Sequence, residues 1–254
     1  MKAELSAWLI TSAEKLRAGV KDELDIKKLL DGLGIRIILE SSASRSGALA
    51  QDGDGNWLVV VRGQRRNQNL TAVDRFTAAH ELGHYLLQKN WAFSPSFTDK
   101  KNYYDCEELC NQFASRLLVD HSKIIEFEIL SPQMCLGVIR ACAERYSVSL
   151  EVAARSILET HSGIGVCAFV KNTDGYSRLW GLSSLNGISP RFPKKRLKSK
   201  SVQEEVFTWG RNFLEKTGVR LDFATESTEM SLRTKEFSNK VELSAIMIKP
   251  PADV

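Results

Sequence analysis

The chain has 254 residues, 43% of them apolar and 26% charged, and a formal charge of +4. That is the composition of a folded protein with a sizeable core, and it excludes a disordered or collagen-like chain. The charge is too small to imply nucleic-acid binding by itself, and no apolar run is long enough to cross a bilayer.

The basic excess is local. Residues 163–254 carry 15 Lys and Arg against 10 Asp and Glu, whereas the first 162 carry 20 against 21. It concentrates between Arg191 and Lys200, a run read as a solvated loop, with a docking surface for DNA or an acidic protein face as the alternative. The five cysteines, Cys106, Cys110, Cys135, Cys142 and Cys167, follow no regular spacing. They suit a reducing compartment and not a disulfide framework. Cys106 and Cys110 stand four apart and could form a metal pair, but burial as small helix residues is the better reading. The acidic, amphipathic start after Met1 is unlike a signal peptide, so a cytoplasmic location with no membrane partner is expected.

In chain order, residues 3–33 read as two helices. Leu5, Trp8, Leu9 and Ala13 form one apolar face, then Leu24, Ile26, Leu29 and Leu30 another, with Gly32 and Gly34 as the stop. Ile35–Leu39 reads as a strand. Ala48–Ala50 and Trp57–Val61 read as two more around the turn Gln51-Asp52-Gly53-Asp54-Gly55-Asn56. A small antiparallel sheet is expected, with Trp57–Val61 offering an edge to which a partner segment could add.

Arg75-Phe76-Thr77-Ala78-Ala79-His80-Glu81-Leu82-Gly83-His84 follows on a helical pattern, with Thr71 and Asp74 near its start, where capping and acidic groups are favoured. His80 and His84, one turn apart, point from one face and can bind one zinc ion, while Glu81 can act as general base. Hydrogen-bonded core histidines are the competing reading. After an irregular, aromatic-rich loop of roughly Asn90 to Tyr104, a second helix begins near Cys106. Leu109, Phe113 and Leu117 form one buried row, and Cys110, Ala114 and Leu118 the next. Glu107, Asn111 and Ser115 form a polar row beside them. If this helix packs antiparallel to the first, Glu107 supplies a third ligand, and Asn111, one turn on, can fix the tautomer of a ligand histidine. Glu108 is offset by about 100° and points elsewhere.

The paired pattern, Arg75-Phe76-Thr77-x-Ala79-His80-Glu81-Leu82-Gly83-His84 followed by Glu107-x-x-Cys110-Asn111-x-Phe113-Ala114-x-x-Leu117-Leu118, resembles the ImmA/IrrE family of zinc metallopeptidases. The resemblance implies zinc held by His80, His84 and Glu107, with Glu81 as catalytic base. It also implies a helix-turn-helix transcriptional repressor of a mobile element or stress regulon as the protein substrate. Cys110 stands where the family has alanine. Val119-Asp120 replaces the usual Met-Pro, which bears on how the helix ends. Donors for an oxyanion come from Tyr103, Tyr104 or His121, and the sequence does not choose among them.

From Pro132 the chain reads as helical. Ala143–Ser149 resembles the turn of a helix-turn-helix, with Ser149 capping a second helix that would offer Glu151 and Arg155 to DNA, a poor set for the purpose. From Gly163 strands return at Ile164–Val170, Ser177–Leu182 and Val241–Ile248, around a helix over Val202–Leu214. In the stress-response branch of the family the C-terminal domain is similar to a GAF sensor fold.

The expectation is an α+β protein in three parts. They are a zincin-like metallopeptidase domain over 1–128, a helix-turn-helix-like segment over 129–162, and a C-terminal α+β domain over 163–254 with a sensory or docking role. The alternative function is a DNA-binding or sensor regulatory protein that keeps the zinc fold without proteolysis.

Overall fold

The computed structural model describes residues 2–41, 46–62, 70–91, 100–172, 175–184, 196–197, 201–217, 221–231 and 238–248. The chain is α+β and divides into two units. The first comprises Met1–His121 and Cys142–Ala153, and the second Ser122–Ala141 and Ala154–Val254.

In the first unit, helix α1 (Lys2–Arg17) buries Leu5, Leu9 and Ala13. Helix α2 (Ile26–Gly32) is capped by Asp25, whose carboxylate accepts from the Lys28 N–H at 3.0 Å. It stops where Gly34 takes φ +73°, a left-handed conformation that glycine adopts without strain. Strands β1 (Arg36–Leu39), β2 (Gly47–Gln51) and β3 (Trp57–Val61) form one sheet in the order β1-β3-β2.

Two expectations change here. The sheet is mixed, because β1 runs parallel to β3 while β2 runs antiparallel to it. Strand β3 is therefore central and has no open edge; β2 and β1 are the edges. The reason is legible in β3 itself: Trp57-Leu58-Val59-Val60-Val61 is a continuous apolar run, as central strands are. Val59 and Val61 are fully buried.

Helices α3 (Ala72–Trp91) and α4 (Lys100–Leu118) complete the unit's core. Thr71 and Asp74 close a reciprocal cap at the start of α3. The Asp74 N–H donates to Thr71 Oγ1 at 3.2 Å, and the Thr71 N–H and hydroxyl donate to the Asp74 carboxylate at 3.0 and 2.7 Å. Both apolar rows expected on α4 are buried: Leu109, Phe113 and Leu117, and Cys110, Ala114 and Leu118. Each such leucine or phenylalanine stabilises the fold by roughly 1.5–3 kcal/mol. Helix α4 starts earlier than the sequence suggested, so residues 100–104 are helical and not loop.

The exit of α4 is held from α1. The Arg17 guanidinium donates to the carbonyls of Leu117 and Leu118 at 3.0 and 2.9 Å. It also donates to the Asp22 carbonyl at 2.6 Å. A cation at the carbonyl end satisfies groups the helix leaves orphaned and complements its dipole. Val119-Asp120 thus ends the helix without a proline, and α5 (His121–Ile124) follows.

Helices α6 (Pro132–Tyr146) and α7 (Leu150–Thr160) meet at a turn where Ser147 takes φ +49°. Ser149 caps α7 as expected, accepting from the Val152 N–H at 3.3 Å. The turn is tied to the first unit's other elements. Arg75, buried in α3, donates to the carbonyls of Tyr146 and Ser147 at 3.2 and 2.7 Å and to that of Leu24 at 2.9 Å, and pairs with Glu23 at 2.8 Å. No residue of α7 is exposed, and Glu151 and Arg155 are both half-buried. In this conformation α7 does not offer a face for reading DNA.

The second unit is built on an antiparallel sheet in the order β6-β5-β4-β8-β7. Its strands are β4 (Ile164–Asn172), β5 (Gly175–Ser183), β6 (Arg196–Leu197), β7 (Leu221–Ser231) and β8 (Ser238–Ile248). Helix α8 (Val202–Thr217) lays Val202 and Val206 against Phe169, Tyr176 and Ile246. Of the basic run Arg191–Lys200, the backbone of Arg196 and Leu197 forms β6; the rest lies outside the described residues. No described helix is long and apolar enough to cross a membrane.

Candidate metal centre

Helix α3 presents His80 and His84 one turn apart, and α4 packs alongside it and presents Glu107 toward both. His80 Nε2 and His84 Nε2 are 3.1 Å apart. The Glu107 carboxylate oxygens stand 3.3 Å from each of those nitrogens. All three donor groups lie within 4.8 Å of one another. Glu108 is exposed and accepts from Gln112, and it is Glu107 that faces the two histidines.

The close approach of the two helices depends on Gly83, between the histidines. A Cβ there would sit 3.2 Å from Cys110 Sγ and from Phe113 Cδ1. Cys106 and Cys110 are buried thiols whose pKa values are raised, chiefly by burial. They take no part in the cluster.

The donor set fits a metal. Donor atoms bound about 2.0–2.1 Å from a tetrahedral zinc stand about 3.3 Å from each other. Here the two histidine nitrogens are 3.1 Å apart, and each stands 3.3 Å from its own Glu107 oxygen, Oε2 for His80 and Oε1 for His84. The tautomer argues the same way. Asn111 Oδ1 lies 3.0 Å from His80 Nδ1, so with the amide oxygen there the ring's N–H is at Nδ1. That leaves a lone pair on Nε2 facing a carboxylate oxygen, an arrangement that needs a cation or proton between them. Where the rings are protonated, hydrogen bonds from both histidines hold the Glu107 carboxyl well below the usual carboxylate range, so it stays an anionic donor.

Glu81 is buried, and burial raises its pKa, opposed by His80 and His84. The Leu49 N–H, on edge strand β2, donates to its carboxylate. Gly47 on the same strand packs against Glu81: a Cβ there would sit 2.7 Å from Oε1 and collide with Thr77 Cγ2. Thr77 cannot turn away freely, because its hydroxyl donates to the Val73 carbonyl at 2.9 Å. Neither Gly47 nor Leu49 was singled out from the sequence. The available signal was a glycine opening a short strand, which often marks close backbone approach.

Of the three oxyanion candidates, Tyr103 and Tyr104 lie in the first turns of α4, but their side chains are outside the described residues. His121 follows the far end of α4. Glu107 and Leu118 are eleven residues apart on that helix, about 16 Å along its axis. His121 is buried and its pKa falls to about 3, through burial first and then the Arg116 charge.

This geometry defines a class: two histidines and a glutamate positioned for one metal, with a second, buried carboxylate, Glu81, beside them, on a pair of helices under an edge strand. The IrrE N-terminal-like domain, a peptidase family, matches residues 30–158. The chain belongs to this ImmA/IrrE family. A Mycobacterium tuberculosis transcriptional regulator of known structure is similar in fold, with a TM-score of 0.56 at 13% identity over 95% of this chain and 76% of that one. No curated protein matches the chain.

Proposed function

We propose that the chain is a zinc-dependent, site-specific endopeptidase that cuts a helix-turn-helix transcriptional repressor and so relieves repression of a mobile-element or stress regulon. The observation that carries this reading is the convergence of His80, His84 and Glu107 beside the buried Glu81 carboxylate. Zinc held by the first three supplies Lewis acidity, polarising a peptide carbonyl and lowering the pKa of water to about 7.

The chain's own residues do the rest. Glu81 takes a proton from water on its carboxylate and returns it to the leaving amine. Burial raises the affinity of that carboxylate for the proton, while the Leu49 N–H keeps it aimed. Asn111 orients the His80 ring through Nδ1. A substrate segment adds alongside the open edge of β2, whose backbone faces Glu81, and this favours an extended cut site.

The description of the mycobacterial protein as a transcriptional regulator supports a regulatory setting. The antiparallel sheet with α8 against it supports a sensory or docking part over 163–254, of GAF-like type. The rival reading is a sensor or DNA-binding protein without proteolysis; its DNA-binding form loses support at α7, which has no exposed residue. The test is to mix the protein with a candidate helix-turn-helix repressor, such as one that a neighbouring gene would nominate. One defined cut, abolished by a chelator and restored by zinc, is expected. Stable binding without any cut would overturn the enzymatic reading.

A further inference from the structure

Between α5 and α6 runs Ile125-Glu126-Phe127-Glu128-Ile129-Leu130, wholly within the second unit. Alternation of apolar and charged residues ordinarily buries one side of an extended segment. Here it does not: Ile125, Phe127 and Leu130 are 65%, 43% and 70% exposed.

The segment is nonetheless fixed. The Phe127 N–H donates to the Ile124 carbonyl at 3.0 Å. The Phe127 carbonyl lies 2.8 Å from His161 Nε2, and His161 Nδ1 lies 2.8 Å from the Thr160 hydroxyl. Thr160 and His161 form the other wall of an open groove of about 420 Å³. Among the described residues, two carboxylates line this groove, Glu126 and Glu128, and no lysine or arginine does. Lys123 pairs with Glu126 at 3.1 Å, but both side chains are about half exposed or more, so the pair leaves Glu126 available.

We propose that this groove docks a basic, apolar-alternating extended segment of the DNA-binding protein that the chain cuts. The inference rests on the repressor-cutting reading above and adds a recruitment surface to it. A protein that binds DNA must carry lysines and arginines for the phosphates, which is the charge the groove lacks. An extended partner laid across the groove satisfies both features through its side chains: basic ones meet Glu126 and Glu128, and apolar ones meet Ile125, Phe127 and Leu130. No groove residue belongs to the metal cluster, so the surface governs capture and not chemistry.

The test uses the full chain and two fluorescein-labelled peptides, Lys-Val-Lys-Leu-Lys-Val and Glu-Val-Glu-Leu-Glu-Val, followed by anisotropy. The basic peptide is expected to bind about tenfold tighter than the acidic one. Glu126→Lys with Glu128→Lys should invert that preference, and Leu130→Ser should weaken both peptides. All three positions are exposed, so folding is retained. Equal affinity for the two peptides, or a preference unmoved by charge reversal, would overturn the proposal. So would a dimer in sedimentation that Leu130→Ser dissociates, because a second copy would then be the occupant.

With the repressor as substrate, the charge-reversed protein should show a raised KM at unchanged kcat, and should cut a short peptide spanning the scissile bond normally. Failure to cut any repressor while the peptide preference persists would count against the enzymatic reading alone. Cutting without that preference would count against the groove alone.

Discussion

His80 faces two partners at once, Asn111 through Nδ1 at 3.0 Å and Glu107 through Nε2 at 3.3 Å. The first sets the tautomer that makes the second a ligand-ready pair. Asn111→Ala removes the acceptor and frees the ring, so zinc affinity is expected to fall about 10–100-fold in competition with a chelator. His121 carries a different prediction. Its imidazole titrates near 6.5 when unfolded and near 3 in the fold. Above pH 6.5 it is neutral in both states and its contribution to stability is complete. As pH falls from 6.5 toward 3, the unfolded chain takes up a proton that the folded chain refuses. Stability therefore declines by up to about 1.4 kcal/mol per pH unit across that window. His121→Gln should flatten this acid limb in urea denaturation measured from pH 7, above the window, down to pH 4, within it. An unchanged limb would mean that other groups set it.

At the scale of elements, the site is an agreement between three pieces of backbone. Strand β2 reaches Glu81 because Gly47 has no side chain. Gly47→Ala is expected to displace Glu81 or Thr77 and reduce cleavage at least about tenfold, with zinc content unchanged; normal cleavage would show that the strand yields. Helix α4 is positioned at its exit by Arg17. Arg17→Met leaves the Leu117 and Leu118 carbonyls without their donor and should cost about 2–3 kcal/mol in urea unfolding.

Much of this was legible beforehand. The helix over His80 and His84, the apolar rows of α4 and the Ser149 cap all follow from local periodicity and side-chain chemistry. Other elements were not, for physical reasons. Strand β7 lies at a sheet edge, and its second half, Glu226-Ser227-Thr228-Glu229, lacks the alternation that a covered strand shows. The parallel pairing of β1 with β3 is a long-range choice that no local signal encodes. Arg75, part of the family-like motif, anchors the α6–α7 turn through the Tyr146 and Ser147 carbonyls and also holds the Leu24 carbonyl, a role invisible without the fold.

Across the whole molecule, the two units carry different surfaces. The first unit holds the metal cluster and buries the turn of the helix-turn-helix-like segment, with Arg75 and Glu23 tied to it. With no exposed residue on α7, that helix is not expected to read a duplex. Anisotropy with the regulon's operator should therefore show only weak binding that salt removes. The second unit offers the acidic, apolar groove, so the molecule's recognition of a partner is placed apart from its chemistry in sequence.

The central claim is that the cluster holds a catalytic zinc with Glu81 as its base. Glu81→Gln, purified beside the wild-type chain, separates the two parts of that claim when zinc content and repressor cleavage are measured on the same samples. The account predicts one zinc per chain in both proteins and cleavage only by the wild type. Cleavage by the Gln variant at the wild-type rate, or a wild-type chain that cuts fully after its zinc is stripped, would contradict it.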